Sequence, residues 1–379
     1  MTENPIRSIE AHFSDLEDPR IERQKLHKLL DIIVIAICGV ICGADNWVDI
    51  EMFGNKKVDW LRQFLELPNG IPSHDTFGRV FGLLDALQFQ DCFMEWAKAV
   101  NQITKGQVIA VDGKKLCGSL DNYLGKAAIY MVNAWASANQ VALGQRQVNE
   151  KSNEITAIPE LLAMLEIAGC IITIDAIGCQ TEIAHQIVAA KADYVLAVKE
   201  NQPHLFEDIT YLFELYLKAD DPMFYFSDYQ KTVDKDHGRI EIRQCWTLPA
   251  QAYLSSVRRL DQWEKIRSLV MILSERRIGE QTALQARYFI SSLEPKASQV
   301  LAAVRSHWGV ENQLHWVLDV VFDEDHSRIR KDHAPQNFAV IRQIALNLLK
   351  QEKTAKGGIQ AKRLQAAWDI DYLLKIISV

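Results

Sequence analysis

The sequence predicts an α/β protein, and three observations carry that prediction. Apolar residues recur at helical spacing through the first hundred residues; residues 106 to 198 hold three successive strand runs and then alternate helix with strand; and strand signals crowd between 222 and 293 before helical spacing returns. At 379 residues and 48% hydrophobic composition the chain can bury a large core, at roughly 100 to 200 residues per domain.

Taken in order, LHKLLDIIVIAICGVICG predicts a buried helix, since its apolar core falls short of the about 20 residues a bilayer span needs. WVDIEMFGNKKVDWLRQFL continues in helix, and Pro68, Asn69, Gly70 and Pro72 make a turn. Ser73 is then an N-cap, with Thr76, Phe77, Val80, Phe81 and Leu84 at helical spacing after it. Two readings of this pair stand: a helix-turn-helix with Arg79 exposed toward DNA, or an ordinary helical hairpin. The polar, acidic N-terminus lacks a signal-peptide pattern, and seven scattered cysteines without a CxxC pair point to reduced thiols in a cytoplasmic protein.

From Gly106 the pattern changes. VIAVD, AIYMVNAWA and VALGQRQV read as consecutive strands, and KSNEITAIPELLAML as a helix capped near Ser152 or Asn153. CIITIDA, QTEIAHQIVAAK and YVLAVK then form a βαβ unit with parallel pairing. Three strands followed by helix–strand alternation is the order of a ribonuclease-H-like sheet. Residues 203 to 220 return to helix. Between 222 and 293, FYFSDYQKTVD, GRIEIRQCWTL, IRSLVMILSERRI and QARYFISSL break the rhythm and read as a β-rich insertion. Helices resume with KASQVLAAVRSHW, ENQLHWVLDVVF and APQNFAVIRQIALNLLKQEK, and GGIQAKRLQAAWDIDYLLKII closes the chain.

Two apolar runs end in carboxylates. In VIAVDGKK, Asp112 is either the first residue of an Asp-Gly turn, with Gly113 letting the chain bend, or a group aimed beyond a strand end. In IITIDAI, Asp175 is either the N-cap of the next segment or the counterpart of Asp112, since ligands of an α/β sheet sit beyond the C-terminal ends of its strands. In RSHWGVENQLHWVLDVVFDEDHSRIRK, His307, Glu311, His315 and Asp319 fall at i+4 intervals, a single stripe opposite Leu314, Val317, Leu318 and Val321. That stripe reads as a row of ligands or as a solvated face with His–Glu pairing. Two Mg²⁺ ions about 3.5–4 Å apart can activate an attacking oxygen and stabilise a leaving oxygen at a phosphodiester, and hard Mg²⁺ prefers oxygen ligands. Asp112, Asp175 and Glu311 supply such a set. A lone zinc on His307, Glu311 and His315 is the rival, although the spacing is not HExxH.

The order VDGK, TIDAIGCQTEIA, DYVLAVKENQP, HGRIEIR and RSHWGVENQLHWVLDVVFDED resembles the DDE transposases of bacterial insertion sequences, and within them the H-repeat-associated group. The likeness runs to about residue 350. It implies that Asp112, Asp175 and Glu311 are the metal-binding catalytic triad, holding Mg²⁺ or Mn²⁺, as two ions. It implies a ribonuclease-H-like core at 101–221 and 294–350 interrupted by the β-rich insertion at 222–293; the residue pattern itself sets off a helical N-terminal domain at 1–100, DNA-binding if its helix pair is a helix-turn-helix, and a C-terminal helical tail at 351–379. The reaction implied is strand cleavage at the element's ends by metal-activated water, then attack of the freed 3′-hydroxyl on target DNA. Inverted-repeat ends and target are both double-stranded DNA, and synapsis of two ends implies a homodimer, at the nucleoid when bound.

The sequence departs from the wider superfamily where Tyr, Arg and Lys usually surround the Glu: Val304, His307 and Leu318 stand there. The phosphate-handling work then falls to Lys114, Lys115, Lys199, Asn201, Arg239, Arg305, His307, His315, Arg328, Arg330 and Lys331. A formal charge of −7 announces no nucleic-acid partner, but Lys and Arg cluster locally, as in GKK at 113–115 and RIRK at 328–331, and a local patch binds phosphate whatever the total. Two alternatives to an active transposase remain at this level: a DNA-binding relic without catalysis, and a metal-dependent nuclease without strand transfer. Asp319, Asp323, Glu324 and Asp325 also stand close enough in sequence to replace Glu311.

Overall fold

The apolar runs become strands: β1 spans Val108–Leu116, β2 Ile129–Ala136, β3 Val141–Val148, β4 Ile171–Ile174, β5 Asp193–Val198, β6 Asp228–Asp236, β7 Arg239–Pro249, β8 Ser268–Ile278 and β9 Gln281–Ser291. The structure, a computed structural model, describes residues 4–101, 104–120, 125–148, 154–236 and 238–378. The expected cap at Ser152 or Asn153 lies outside the described residues. The chain divides into two compact units, one of Met1–Ile103, Gly113–Val148 and Glu311–Val379, the other of Thr104–Asp112 and Asn149–Val310.

In the second unit a large mixed sheet runs in the order β1-β4-β5-β9-β8-β7-β6. β1 pairs with β4 in parallel from Val108↔Ile171 to Val111↔Ile174, and β4 pairs with β5 in parallel from Ile171↔Asp193 to Ile174↔Leu196. The helix Thr181–Ala189 makes the crossover that parallel pairing requires. All four residues of β4 are buried, as expected of a parallel strand covered on both faces. The strands read as an insertion continue this sheet: β9 adds antiparallel to β5, from Val195↔Ser291 to Val198↔Tyr288, and β8, β7 and β6 follow antiparallel. The helix Ala297–Gly309 covers them, packing Ala297, Val300, Leu301 and Val304 on Cys245, Val270, Ile272 and Phe289.

In the first unit β2 and β3 pair antiparallel, with Asn133 opposite Gln145. The helix Ala334–Gln351 is buried on every side from Ala334 to Leu349 and packs on the helices Leu29–Ile41, His74–Leu83 and Ala86–Val100. That explains the apolar stretch at 32–41: its side chains from Ile32 to Cys38 and at Val40 and Ile41 are at most 1% exposed, and a helix hydrophobic all round is a core helix. Among the described residues no helix is long and apolar enough to cross a membrane. Ser73 caps the helix His74–Leu83, accepting from the Thr76 N–H, and Phe81 of that helix stacks on Trp47 with ring centroids 5.1 Å apart. Arg79 is exposed.

Two local expectations are corrected. The chain does not turn at Asp112-Gly113, because β1 runs on to Leu116. Nor is the stripe from His307 to Asp319 one α-helix: α-helix to Gly309 gives way to a π-helix at Val310–His315 and then to α-helix at Trp316–Val320. The wider i→i+5 turn re-aims the side chains it carries, a feature found often at functional sites.

Glu352 ties down the C-terminal tail. Its carboxylate accepts from the Thr354 and Ala355 N–H groups at 2.6 and 3.2 Å and from the Tyr372 hydroxyl at 2.8 Å. Burial alone would push its pKa up, but these donors hold it down at about 2. A depressed carboxylate adds stability that is complete above its unfolded pKa and is lost as pH falls through the folded one. Glu352→Gln therefore lowers the melting temperature at pH 7, and the gap to wild type closes as pH falls from about 4.5 toward about 2, read by thermal scans in a pH series.

Candidate active site

In the second unit, Asp112 and Asp175 each lie one residue beyond the last registered pair of β1 and β4, Val111↔Ile174. Neighbouring parallel strands run about 4.8 Å apart, so the register brings the two carboxylates to one edge. β4 ends there, while β1 continues. Burial pushes the Asp175 carboxyl up, but the Ala176 N–H, the Lys199 ammonium and His307 together hold it below the ordinary value. Lys199 Nζ sits 3.1 and 3.3 Å from its two oxygens. His307 reaches the sheet through Nδ1, 3.0 Å from the Thr173 hydroxyl on β4. Asn201 donates to the Ala176 carbonyl at 2.5 Å and so fixes the turn after Asp175.

In the first unit, the Glu311 carboxylate is 57% exposed and accepts from the almost wholly buried His315 at 3.2 Å. This hydrogen bond, against a smaller opposing effect of burial, holds Glu311 below the usual carboxylate range. Asp319 is engaged elsewhere: it pairs with Lys114, whose side chain is only 7% exposed, and Lys114 also lies 3.5 Å from buried Glu324. Arg342 Nη1 stands 3.6 Å from the other oxygen of Glu324. Asp323 accepts from His326 at 2.7 Å.

The DNA contacts expected from the sequence thus divide. Lys114 is a correction: its ammonium is buried among Asp319 and Glu324, which outweigh burial and raise its pKa, so it is a structural cation with no face for phosphate. His315 is likewise enclosed. Lys115, Arg239, Arg305, Arg328, Arg330 and Lys331 are exposed. Lys115 lies over the Tyr130 ring, Arg305 pairs with Asp234 at 3.0 Å, Arg239 pairs with Glu241 at 3.3 Å, and Arg330 donates to the Gly118 carbonyl at 3.0 Å. The backbone before Arg330 also packs on Gly118, where a Cβ would meet the Ser327 carbonyl oxygen at 2.1 Å.

Sequence reasoning missed Glu154, the first residue of the helix Glu154–Met164. Burial, then the charges of Asp112 and Asp175, push its carboxyl up, so it lies within electrostatic reach of both. An acid in a first helical turn ordinarily complements the helix dipole, and nothing in the string distinguished this one. Also missed was Arg287, which stacks on the exposed Trp308 ring at 4.7 Å and whose charge reaches Asp175. The signal available was an arginine in the strand run QARYFISSL.

The family described as "Transposase DDE domain" matches residues 103–348, and that described as "DDE_Tnp_1-associated" matches residues 10–97. The chain belongs to the DDE transposases. It is 40% identical to "Putative transposase YncI" of Escherichia coli O157:H7, over 98% of this chain and 95% of that one. It is 39% identical to "H repeat-associated putative transposase YhhI" of Escherichia coli K12, over 98% of each. Among solved structures, the cryo-EM piggyBac transposase synaptic complex with hairpin DNA matches at 13% identity and a TM-score of 0.44, over 96% of this chain and 79% of that one. The general function of DDE transposases is DNA strand cleavage and strand transfer, and their chemistry uses divalent metal ions. This chain is a transposase of that type, in the H-repeat-associated group that its sequence resembles.

Proposed function

We propose that Asp112, Asp175 and Glu311 are the catalytic, metal-holding carboxylates of this transposase, taking two divalent cations, Mg²⁺ or Mn²⁺, against a DNA phosphodiester at the ends of its insertion sequence. The observation that carries this reading is the adjacent register of Asp112 and Asp175 at the edge where β4 ends. The donor set fits a hard cation: all three side chains offer oxygen, and Asp175 and Glu311 are held below the ordinary range and so are ionised at neutral pH. Bound cations supply activation of the attacking oxygen and stabilisation of the leaving one. Lys199 balances the charge of Asp175, and Asn201 steadies the turn that carries it.

Glu311 is favoured over its neighbours as third carboxylate because Asp319 and Glu324 are committed to Lys114 and Arg342. The zinc reading is disfavoured because both ring nitrogens of His315 already have partners, Glu311 and Asn133. Lys115, Lys199, Arg239, Arg305, Arg328 and Arg330 are the DNA contacts proposed here, with the N-terminal helices of 1–100 as a further DNA-binding element. The ribonuclease-H-like core at 101–221 and 294–350, the insertion at 222–293 and the tail at 351–379 complete the proposed organisation. The chain acts as a homodimer on two inverted-repeat ends, in the cytoplasm at the nucleoid.

The test is cleavage of labelled duplex carrying the inverted repeats that flank the protein's own coding segment. Nicking at the repeat ends appears with Mg²⁺ or Mn²⁺, disappears with EDTA and returns on re-addition, while gel-shift binding persists in EDTA. Joined strands mark transfer; nicking that never yields them marks a nuclease. Nicking undiminished in EDTA would sink the metal reading.

A further inference from the structure

A chain of buried amides behind Glu311 fixes which way its histidine partner faces. Its members are Gln145 on β3, Asn133 opposite it on β2, and Gln343 in the middle of the helix Ala334–Gln351, each 1% exposed. Gln145 Nε2 lies 3.5 Å from the Gln336 carbonyl oxygen, Gln343 Nε2 lies 2.8 Å from both Gln145 Oε1 and Asn133 Oδ1, Asn133 Nδ2 lies 3.4 Å from His315 Nε2, and His315 Nδ1 lies 3.2 Å from Glu311 Oε2.

The direction of every bond in that chain is set by its two ends. A backbone carbonyl only accepts, so Gln145 presents its nitrogen there and its oxygen to Gln343. Gln343 then spends both amide hydrogens on Gln145 and Asn133. Asn133, accepting through Oδ1, has only its nitrogen to offer His315, so Nε2 of the ring must accept. The ring proton therefore sits on Nδ1 and points at Glu311, whose ionised carboxylate can only accept.

We infer that Gln343, Asn133 and Gln145 are positioning residues for the third catalytic carboxylate: they hold His315 as the Nδ1–H tautomer, which pins one oxygen of Glu311 and leaves the other turned out for a metal. This inference rests on the reading of Glu311 as a metal ligand. Buried amides whose hydrogen bonds each have one direction lock a single arrangement, here even though Gln343 Oε1 is itself buried without a hydrogen-bond partner. Outer partners of this kind typically shift metal affinity or activity by about 10–100-fold when removed.

The experiment uses full-length protein with nitrogen-15-labelled histidine and no added metal, His315 being assigned by the signal lost in His315→Gln. Wild type gives an unprotonated Nε2 and a protonated Nδ1. Gln343→Glu, read at a pH where the introduced carboxylate is ionised and can only accept, turns Asn133 round and moves the proton to Nε2. Gln343→Met, which adds no charge and covers the case in which the glutamate variant fails to fold, raises the Mn²⁺ concentration for half-maximal cleavage about tenfold or more. Its melting curve establishes that it is folded. A protonated Nε2 in wild type overturns the inference, as does wild-type metal dependence in a folded Gln343→Met. Full cleavage by Glu311→Gln alongside the stated tautomer overturns instead the metal-ligand reading, and with it the purpose assigned to the chain but not its hydrogen-bond order.

Discussion

Asp112→Asn, Asp175→Asn and Glu311→Gln each reduce metal-dependent cleavage by on the order of a thousandfold or more, while gel-shift binding to the same DNA stays within a few-fold of wild type. The magnitude comes from what a divalent ion contributes at a phosphodiester, several kcal/mol of charge stabilisation, at about 1.36 kcal/mol per tenfold in rate. Each change removes one anionic ligand and preserves shape, and the three differ in their surroundings in ways that sharpen the test. Asp175 keeps Lys199 beside it, so its amide variant leaves that ammonium without a counter-charge. Glu311 keeps the His315 hydrogen bond, since a glutamine oxygen still accepts from Nδ1. Binding without cleavage in wild type would identify a DNA-binding relic. Loss of activity in Asp319→Asn but not in Glu311→Gln would reassign the third ligand.

Lys114→Met destabilises the protein by about 3–5 kcal/mol, the usual cost of removing one partner from a buried ion pair. Asp319 and Glu324 lose their nearest cation, and Arg342, 3.6 Å from Glu324, is itself buried and only partly compensates. The measurement is urea unfolding of wild type, Lys114→Met and Lys115→Ala. Lys115→Ala leaves stability near wild type and weakens DNA binding, because Lys115 is exposed while its neighbour is not. The opposite pattern, a stable Lys114→Met with weakened DNA binding, would restore Lys114 as a phosphate contact and remove it from the core.

Adjacent lysines in GKK behave differently for a reason that lies in the strand. β1 does not stop at Asp112, so the two-residue alternation of a strand continues through the motif, turning Lys114 inward and Lys115 outward. Read as a turn, the same three letters offered two equivalent surface cations. The stripe from His307 to Asp319 failed in a comparable way. Spacing by four predicts one face of an α-helix, but the π-helical turn at Val310–His315 divides it, and its members take separate partners: Thr173, His315, Glu311 and Lys114.

By itself the sequence determined the strand runs, the βαβ alternation and the two aspartates at the ends of apolar runs, because these depend on residues near one another in the chain. The local pattern of apolar and β-branched residues is enough to place them. The strands beyond residue 222 were also legible one by one, yet only pairing decided that β9 adds to β5 and extends the sheet. Tertiary structure alone decided which polar residues are committed. Gln343 looks like any glutamine on an amphipathic helix until that helix is found buried on every side; Asn133 and Gln145 look like strand residues until the register sets them opposite each other. Burial turns such groups from solvated side chains into obligatory hydrogen-bond partners, and burial is a property of the fold that brings distant segments together.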